Sequence, residues 1–158
     1  MSVKNLQFTR LDDRLVHGQV CAAWLKTVGV KNLVIIDDAT RADSFMIDMF
    51  EMLLPGDIQM TVFDEKDGLA SLLEGLDAPS MLLIKEPATI KRLVEGGIDF
   101  DEINIGGLGM TKNRKPFHET IAASDEERAI FKELIKKGIK LNIQTIPLQD
   151  AVDAASLL

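Results

Sequence analysis

Two arginines, two aspartates and a histidine fall within the eight positions Arg10-Leu11-Asp12-Asp13-Arg14-Leu15-Val16-His17. Neutral imidazole is nucleophilic near neutral pH and passes a phosphoryl group on readily, which makes His17 a candidate phosphoryl acceptor. Guanidinium groups at Arg10 and Arg14 suit the oxygens of such a group, and free amides at a helix starting near His17-Gly18 favour the same anion. Gly18 lets backbone approach closely. Asp12 or Asp13 either accepts the proton of the far ring nitrogen or holds the arginines. The plainer alternative is a capped turn with a half-buried His17 and a solvated network of charges, and residue chemistry by itself leans towards it.

Other chemistry-bearing residues are sparser. Asp37-Asp38 at the end of an apolar run, with Lys85 ending another, is similar to the acidic pocket and lysine of receiver domains, in which an aspartate accepts phosphate. The order argues against it, because a receiver carries its acidic pair after the first strand, where Arg10 to His17 stands here. Asp37-Asp38 then reads as a loop-opening turn and Lys85 as a solvated strand end. Gly106-Gly107-Leu108-Gly109 lacks the spacing of a dinucleotide loop and reads as a flexible loop. His118 reads as solvated and Cys21 as buried. With 2 His and 1 Cys at no ligand spacing, a structural zinc site is not expected.

The elements that position these residues alternate. Val3 to Phe8, Leu33 to Ile36, Ile58 to Phe63, Met81 to Ile84, Ile103 to Ile105 and Leu141 to Ile146 read as strands, several of them buried on both faces. Between them lie helical patterns at Gly18 to Val28, Phe45 to Leu54, Asp67 to Leu76 and Pro87 to Glu95. Another opens on the capping box Ser124-Asp125-Glu126-Glu127, and a short terminal helix is expected near Asp150 to Ser156. The methionines of the Phe45 to Leu54 helix, capped by Asp43 and stopped by Pro55-Gly56, are expected in the core. Such alternation predicts an α/β fold: a single doubly wound, mostly parallel sheet with helices on both faces, one domain over residues 1–158. Ligands of such sheets bind outside the carboxyl ends of the strands, where the Arg10 to His17 segment falls.

Composition sets the outer bounds. A 158-residue chain with 46% apolar residues has a full-sized core available. Its net charge of −7 repels phosphate polymers and anionic membranes, so nucleic acid is not an expected partner. The stretch Met1 to Arg10 has no apolar signal-like region and no apolar run is long enough to span a bilayer, which makes the cytoplasm the expected location.

The whole segment Arg10-Leu11-Asp12-Asp13-Arg14-Leu15-Val16-His17-Gly18-Gln19-Val20 resembles the signature of the IIB phosphocarrier subunits of the mannose-fructose-sorbose branch of the bacterial sugar phosphotransferase system. The resemblance continues through Trp24, Asp37-Asp38, Lys85-x-Pro87, Ile103 to Gly107 and Gln144-x-x-Pro147. It implies that His17 takes a phosphoryl group from a phosphorylated IIA protein and gives it to a sugar bound by the membrane IIC/IID permease. Arg10 and Arg14 carry over as phosphate-stabilising neighbours, with Asp12, Asp13, Gly18 and Gln19 as the rest of the binding and orienting loop. No metal or other cofactor is implied, and the location becomes the cytoplasm, peripherally at the permease. A non-catalytic adaptor remains the third alternative, and a homo-oligomer stays open because no residue marks an interface.

Overall fold

In a computed structural model that describes residues 2–158, the elements are β1 (Leu6–Asp12), α1 (Val20–Val28), β2 (Asn32–Ile36), α2 (Asp38–Arg41), α3 (Ser44–Leu53), β3 (Gln59–Phe63), α4 (Glu65–Glu74), β4 (Ser80–Ile84), α5 (Pro87–Glu95), β5 (Glu102–Gly107), β6 (Lys115–His118), β7 (Ile121–Ala123), α6 (Asp125–Lys136), β8 (Lys140–Ile143), β9 (Val152–Asp153) and a 3-10 turn (Ala154–Leu157). Met1, the first position of the stretch read as carrying no signal sequence, lies outside the described residues. Seven strands form one sheet in the order β3-β2-β4-β1-β5-β8-β9, all parallel except β9, which runs antiparallel to β8.

The branched apolar runs become strands because both of their faces are covered. Val34, Ile36, Leu82 and Ile84 pack with Leu72 of α4, Ile90 and Leu93 of α5, and Phe131 and Leu134 of α6. Their alternates Leu33, Ile35, Met81 and Leu83 pack on the opposite face with Cys21, Trp24 and Leu25 of α1 and Phe50 of α3. Helices on both faces of a mostly parallel sheet are the expected architecture. The capping box of α6 forms as read, with Glu127 N donating to Ser124 Oγ and Ser124 N donating to Glu127 Oε1. Among the described residues no helix is long and apolar enough to cross a membrane.

Four expectations change. β1 runs on to Asp12 rather than ending at Phe8, so Arg10 and Asp12 belong to a central strand and not to a loop. Gly106 and Gly107, read as a flexible loop, close β5 and pair beside β1. Lys115 to His118 pairs with Ile121–Ala123 in a separate antiparallel hairpin, and the expected terminal helix is β9 followed by the 3-10 turn. Of the α3 methionines, Met46 packs half-buried against the core but the other two do not: Phe50 is the buried residue of that helix, whereas Met52 is 84% exposed and Phe45, Met49 and Leu53 are also exposed. Its mixed apolar pattern gives too little contrast between faces for the buried one to be read from sequence. Phe50→Ala should therefore lower the unfolding free energy by about 3–5 kcal/mol in urea titrations, whereas Met52→Gln should change it by no more than about 0.5 kcal/mol.

Candidate active site

β1 leaves the sheet towards α1 and β2 on one side, while β5 leads through the hairpin and α6 to β8 on the other. The crevice between the carboxyl ends of β1 and β5 is thus the point where the connections diverge, the place where open α/β sheets hold ligands. Arg10 pairs in register with Asn104 there, and a bulge at Gly106 sets Asp12 opposite Gly107.

Arg10 lies at the bottom of this crevice with 1% of its surface exposed. A buried guanidinium is tolerated only when its donors are met. Nη1 donates to Asn104 Oδ1 (2.6 Å) and the Gln144 carbonyl (3.0 Å), and Nη2 donates to Asp12 Oδ2 (3.2 Å) and the Thr145 carbonyl (2.9 Å). Asn104 presents its oxygen because its amide nitrogen donates to Asn142 Oδ1 (3.1 Å). The Trp24 ring lies 5.0 Å from Arg10 Cζ and is tied by Nε1 to the same Thr145 carbonyl (3.0 Å). Burial pulls the Arg10 guanidinium below its ordinary value and Asp12 pulls it back up. A Cβ at Gly106 would fall inside that guanidinium, and one at Gly107 would come within 2.6 Å of Asp12 Oδ1.

Asp12 turns this buried charge into an orienting device. Its Oδ2, already bound by Arg10, lies 2.7 Å from His17 Nε2, and its Oδ1 accepts the Arg14 amide (3.0 Å). The Leu15 amide donates to the Asp12 carbonyl (3.0 Å), closing a turn in which Leu15 takes a φ of 55°. That left-handed backbone costs on the order of 1 kcal/mol for a non-glycine residue, and burial of the Leu15 and Val16 side chains against Trp24's layer offsets it. The turn leaves the His17 side chain 16% exposed above a carboxylate that is 2% exposed.

Asp12, then, takes the ring, and Asp13 points the other way, accepting from Gly109 N (2.9 Å) and Arg114 Nη1 (2.9 Å). Arg14 is exposed, and among the described residues its guanidinium has no partner. Arg10 has spent its four Nη donors inside the fold, so of the two arginines read as phosphate neighbours Arg14 is the one with its whole guanidinium to offer. Gly18 lies in open space at φ 49°, and α1 begins at Val20, two residues later than expected, with Gln19 as an exposed N-cap that makes no side-chain capping bond. The first-turn amides of α1 are thereby left without a capping side chain. Cys21 lies behind the site, where burial pushes its thiol up to about 12 and keeps it neutral.

The remaining candidates fall elsewhere. Asp37 is buried as the N-cap of α2, accepting from Thr40 N (3.0 Å) and Thr40 Oγ1 (2.7 Å), and Asp38 accepts from Glu65 N (2.8 Å). They end β2, from which the His17 strand is separated by β4. The turn reading of the pair fits, and the receiver-like alternative finds no support. His118 sits in β6 with Nε2 3.8 Å from Glu119 Oε1. Trp24, Asn104, Gly106 and Gly107 fall within the family resemblance but receive no role from the sequence, and Arg114 is not singled out at all; no local sequence signal marks the guanidinium that fills the space beside Gly106.

A histidine oriented by a buried carboxylate at the divergence point of a doubly wound sheet defines an α/β protein with an imidazole site. The chain belongs to the sorbose subfamily of IIB components of the sugar phosphotransferase system, whose family model matches residues 6–158. It is 27% identical to the N-acetylgalactosamine-specific phosphotransferase enzyme IIB component 2 of Escherichia coli K12 over 155 residues, covering 98% of this chain and 99% of that one. It is also 27% identical to the mannose-specific EIIAB component of the same strain over 143 residues, 87% of this chain, but spans only 43% of that longer protein. The crystal structure of manxB from Thermoanaerobacter tengcongensis superposes with a TM-score of 0.89 at 30% identity, covering 99% of this chain and 96% of that one.

The space beside Gly106 is testable without any assay of function. Gly106→Ala should destabilise the protein by about 1–3 kcal/mol in chemical denaturation, because a Cβ there displaces Arg10 from a packed position in which all four Nη donors are met. Gly56→Ala, where a Cβ meets open space, should stay within about 0.5 kcal/mol of wild type.

Proposed function

We propose that this chain is a cytoplasmic phosphocarrier that accepts a phosphoryl group on His17 from a phosphorylated IIA protein and donates it to a sugar held by a membrane IIC/IID permease. The observation that carries the reading is the 2.7 Å contact between His17 Nε2 and Asp12 Oδ2, with Asp12 itself anchored by buried Arg10. A carboxylate in that position accepts a hydrogen bond from Nε2–H, which leaves the lone pair on Nδ1. Family membership and the exposed Arg14, three residues before His17 and without a guanidinium partner among the described residues, support the same reading.

In the first transfer, His17 Nδ1 attacks phosphorus in line with the leaving imidazole of the donor. The new N–P bond forms as the donor's N–P bond breaks, and the donor ring keeps the electron pair. Positive charge developing on the His17 ring is offset by Asp12 through the Nε2 proton, which stays in that hydrogen bond. Arg14 and the uncapped amides at the start of α1 carry the charge on the phosphoryl oxygens. In the second transfer a sugar hydroxyl oxygen displaces Nδ1 and its proton leaves to solvent or a permease base. Docking of the two proteins in turn over the same exposed edge supplies specificity, and the sugar is chosen by the permease. The curated relatives carry mannose and N-acetylgalactosamine in their names, as befits one carrier architecture behind several permeases.

Incubation with phosphoenolpyruvate, the general phosphotransferase proteins and a cognate IIA protein should add one phosphoryl group by intact mass. The label should be lost in acid and kept in mild base, as expected of a phosphoramidate. His17→Ala should fold and take no label. Arg14→Lys should transfer about a hundredfold more slowly in rapid-quench experiments, because an ammonium cannot fork two phosphoryl oxygens. Label that survives acid, or that hydroxylamine removes from Asp37 or Asp38, would contradict the reading.

A further inference from the structure

Arg114 is the second sequestered cation near the crevice, with 11% of its side chain exposed, and the transfer chemistry just described makes no use of it. Its Nε and Nη2 fork onto Glu127 Oε1 (2.9 Å) and Oε2 (3.0 Å), while Nη1 donates to Asp13 Oδ2 (2.9 Å) and to the Gly109 carbonyl (3.0 Å). Glu127 is held in turn by the α6 capping box. Burial pushes the Glu127 carboxyl up, but the hydrogen bonds from Arg114 and Ser124 prevail and hold it below the usual carboxylate range. The fork on Glu127 raises the Arg114 guanidinium above its ordinary value.

We infer that Arg114 is a positioning residue for His17, acting through Asp13, an inference that rests on the proposed function of His17. A continuous chain of bonds runs from the amino terminus of α6 through Glu127 and Arg114 to Asp13, the residue next to the one that orients the ring. Asp13 is fixed further by its own amide, which donates to the Gly107 carbonyl (2.9 Å), and by Gly109 N on its carboxylate (2.9 Å). Two consequences follow for transfer. The loop that carries His17 is clamped on the β5 side as well as from below by Arg10. The Asp13 charge is neutralised on the far side of the loop, so an incoming phosphoryl group faces Arg14 without a second free carboxylate beside it. Sequence proximity hides this, because Asp13 and Arg114 are 101 positions apart.

The test is a double-mutant cycle on the rate of phosphoryl transfer to His17, read per folded protein, with backbone amide exchange of the same variants. Arg114→Met and Asp13→Ala should each slow transfer roughly tenfold and speed exchange of the Gly109 and Arg14 amides by a similar factor. The double variant should be no slower than the worse single one, because both break the same contact. Arg128→Met, which removes a nearby cation that donates to the Pro116 carbonyl and lies over the Phe117 ring, should transfer at the wild-type rate. Should Arg114→Met fail to fold, Asp13→Ala breaks the same contact with the Arg114–Glu127 fork intact. Additive losses in the cycle, or unchanged transfer and exchange in Asp13→Ala, would overturn the inference and leave the reading of His17 standing. A wild-type chain that takes no phosphoryl group would overturn that reading first, before any variant is compared.

Discussion

A charged guanidinium that is almost wholly removed from water imposes more on this chain than any other single group. Each Nη hydrogen of Arg10 must find an oxygen, and the oxygens come from four places: the neighbouring strand at Asn104, the two carbonyls after β8 and the Asp12 carboxylate. Satisfying it fixes the glycine at 106, the bulge in β5, the orientation of Asn104 through Asn142, and the path of the chain at Gln144 and Thr145. Breaking such an arrangement by removing one partner costs about 3–5 kcal/mol, because the remaining charge is left buried and unpaired. The site is expensive to assemble, and its geometry is correspondingly rigid.

Rigidity at Asp12 is what gives His17 a defined chemistry. A carboxylate free to rotate would share itself between solvent and ring, whereas here one oxygen is shared by Arg10 and His17 and the other is occupied by the Arg14 amide. The ring is therefore presented with one nitrogen committed and one open, on a turn whose left-handed Leu15 is held by its own burial. The hard part of phosphoryl transfer is positioning and charge stabilisation rather than covalent activation, and in the proposed function the oriented imidazole meets the first need while Arg14, whose guanidinium has no partner among the described residues, meets the second.

Much of this was legible in the sequence, for identifiable reasons. Buried parallel strands announce themselves as branched runs, and the Ser124 to Glu127 capping box is a local signal that needs no tertiary context. The density of charge from Arg10 to His17 singled out a candidate site, although residue chemistry alone leaned towards a solvated turn and the family resemblance carried the reading. What could not be read was the division of labour within it. Arg10 and Arg14 look alike in sequence, yet strand alternation sends Arg10 to the Trp24 face of the sheet while the turn sends Arg14 to solvent. Asp12 and Asp13 likewise point to opposite sides of the chain, one to His17 and one to Arg114. Gly106 and Gly107 were misread as a flexible loop because their smallness serves a partner nearly a hundred positions away. Met49 and Met52 of α3 were misplaced in the core because that helix is apolar on more than one face.

The central claim is that Asp12 commits Nε2 of His17 and leaves Nδ1 as the nitrogen that reacts. It is tested most directly by two-dimensional nitrogen and phosphorus NMR of the imidazole of His17 in the phosphorylated, isotopically labelled protein. The account predicts phosphorus coupled to Nδ1, with Nε2 still protonated and hydrogen-bonded to Asp12. Phosphorus on Nε2 would contradict it, since that nitrogen could react only by abandoning the contact on which the site is built.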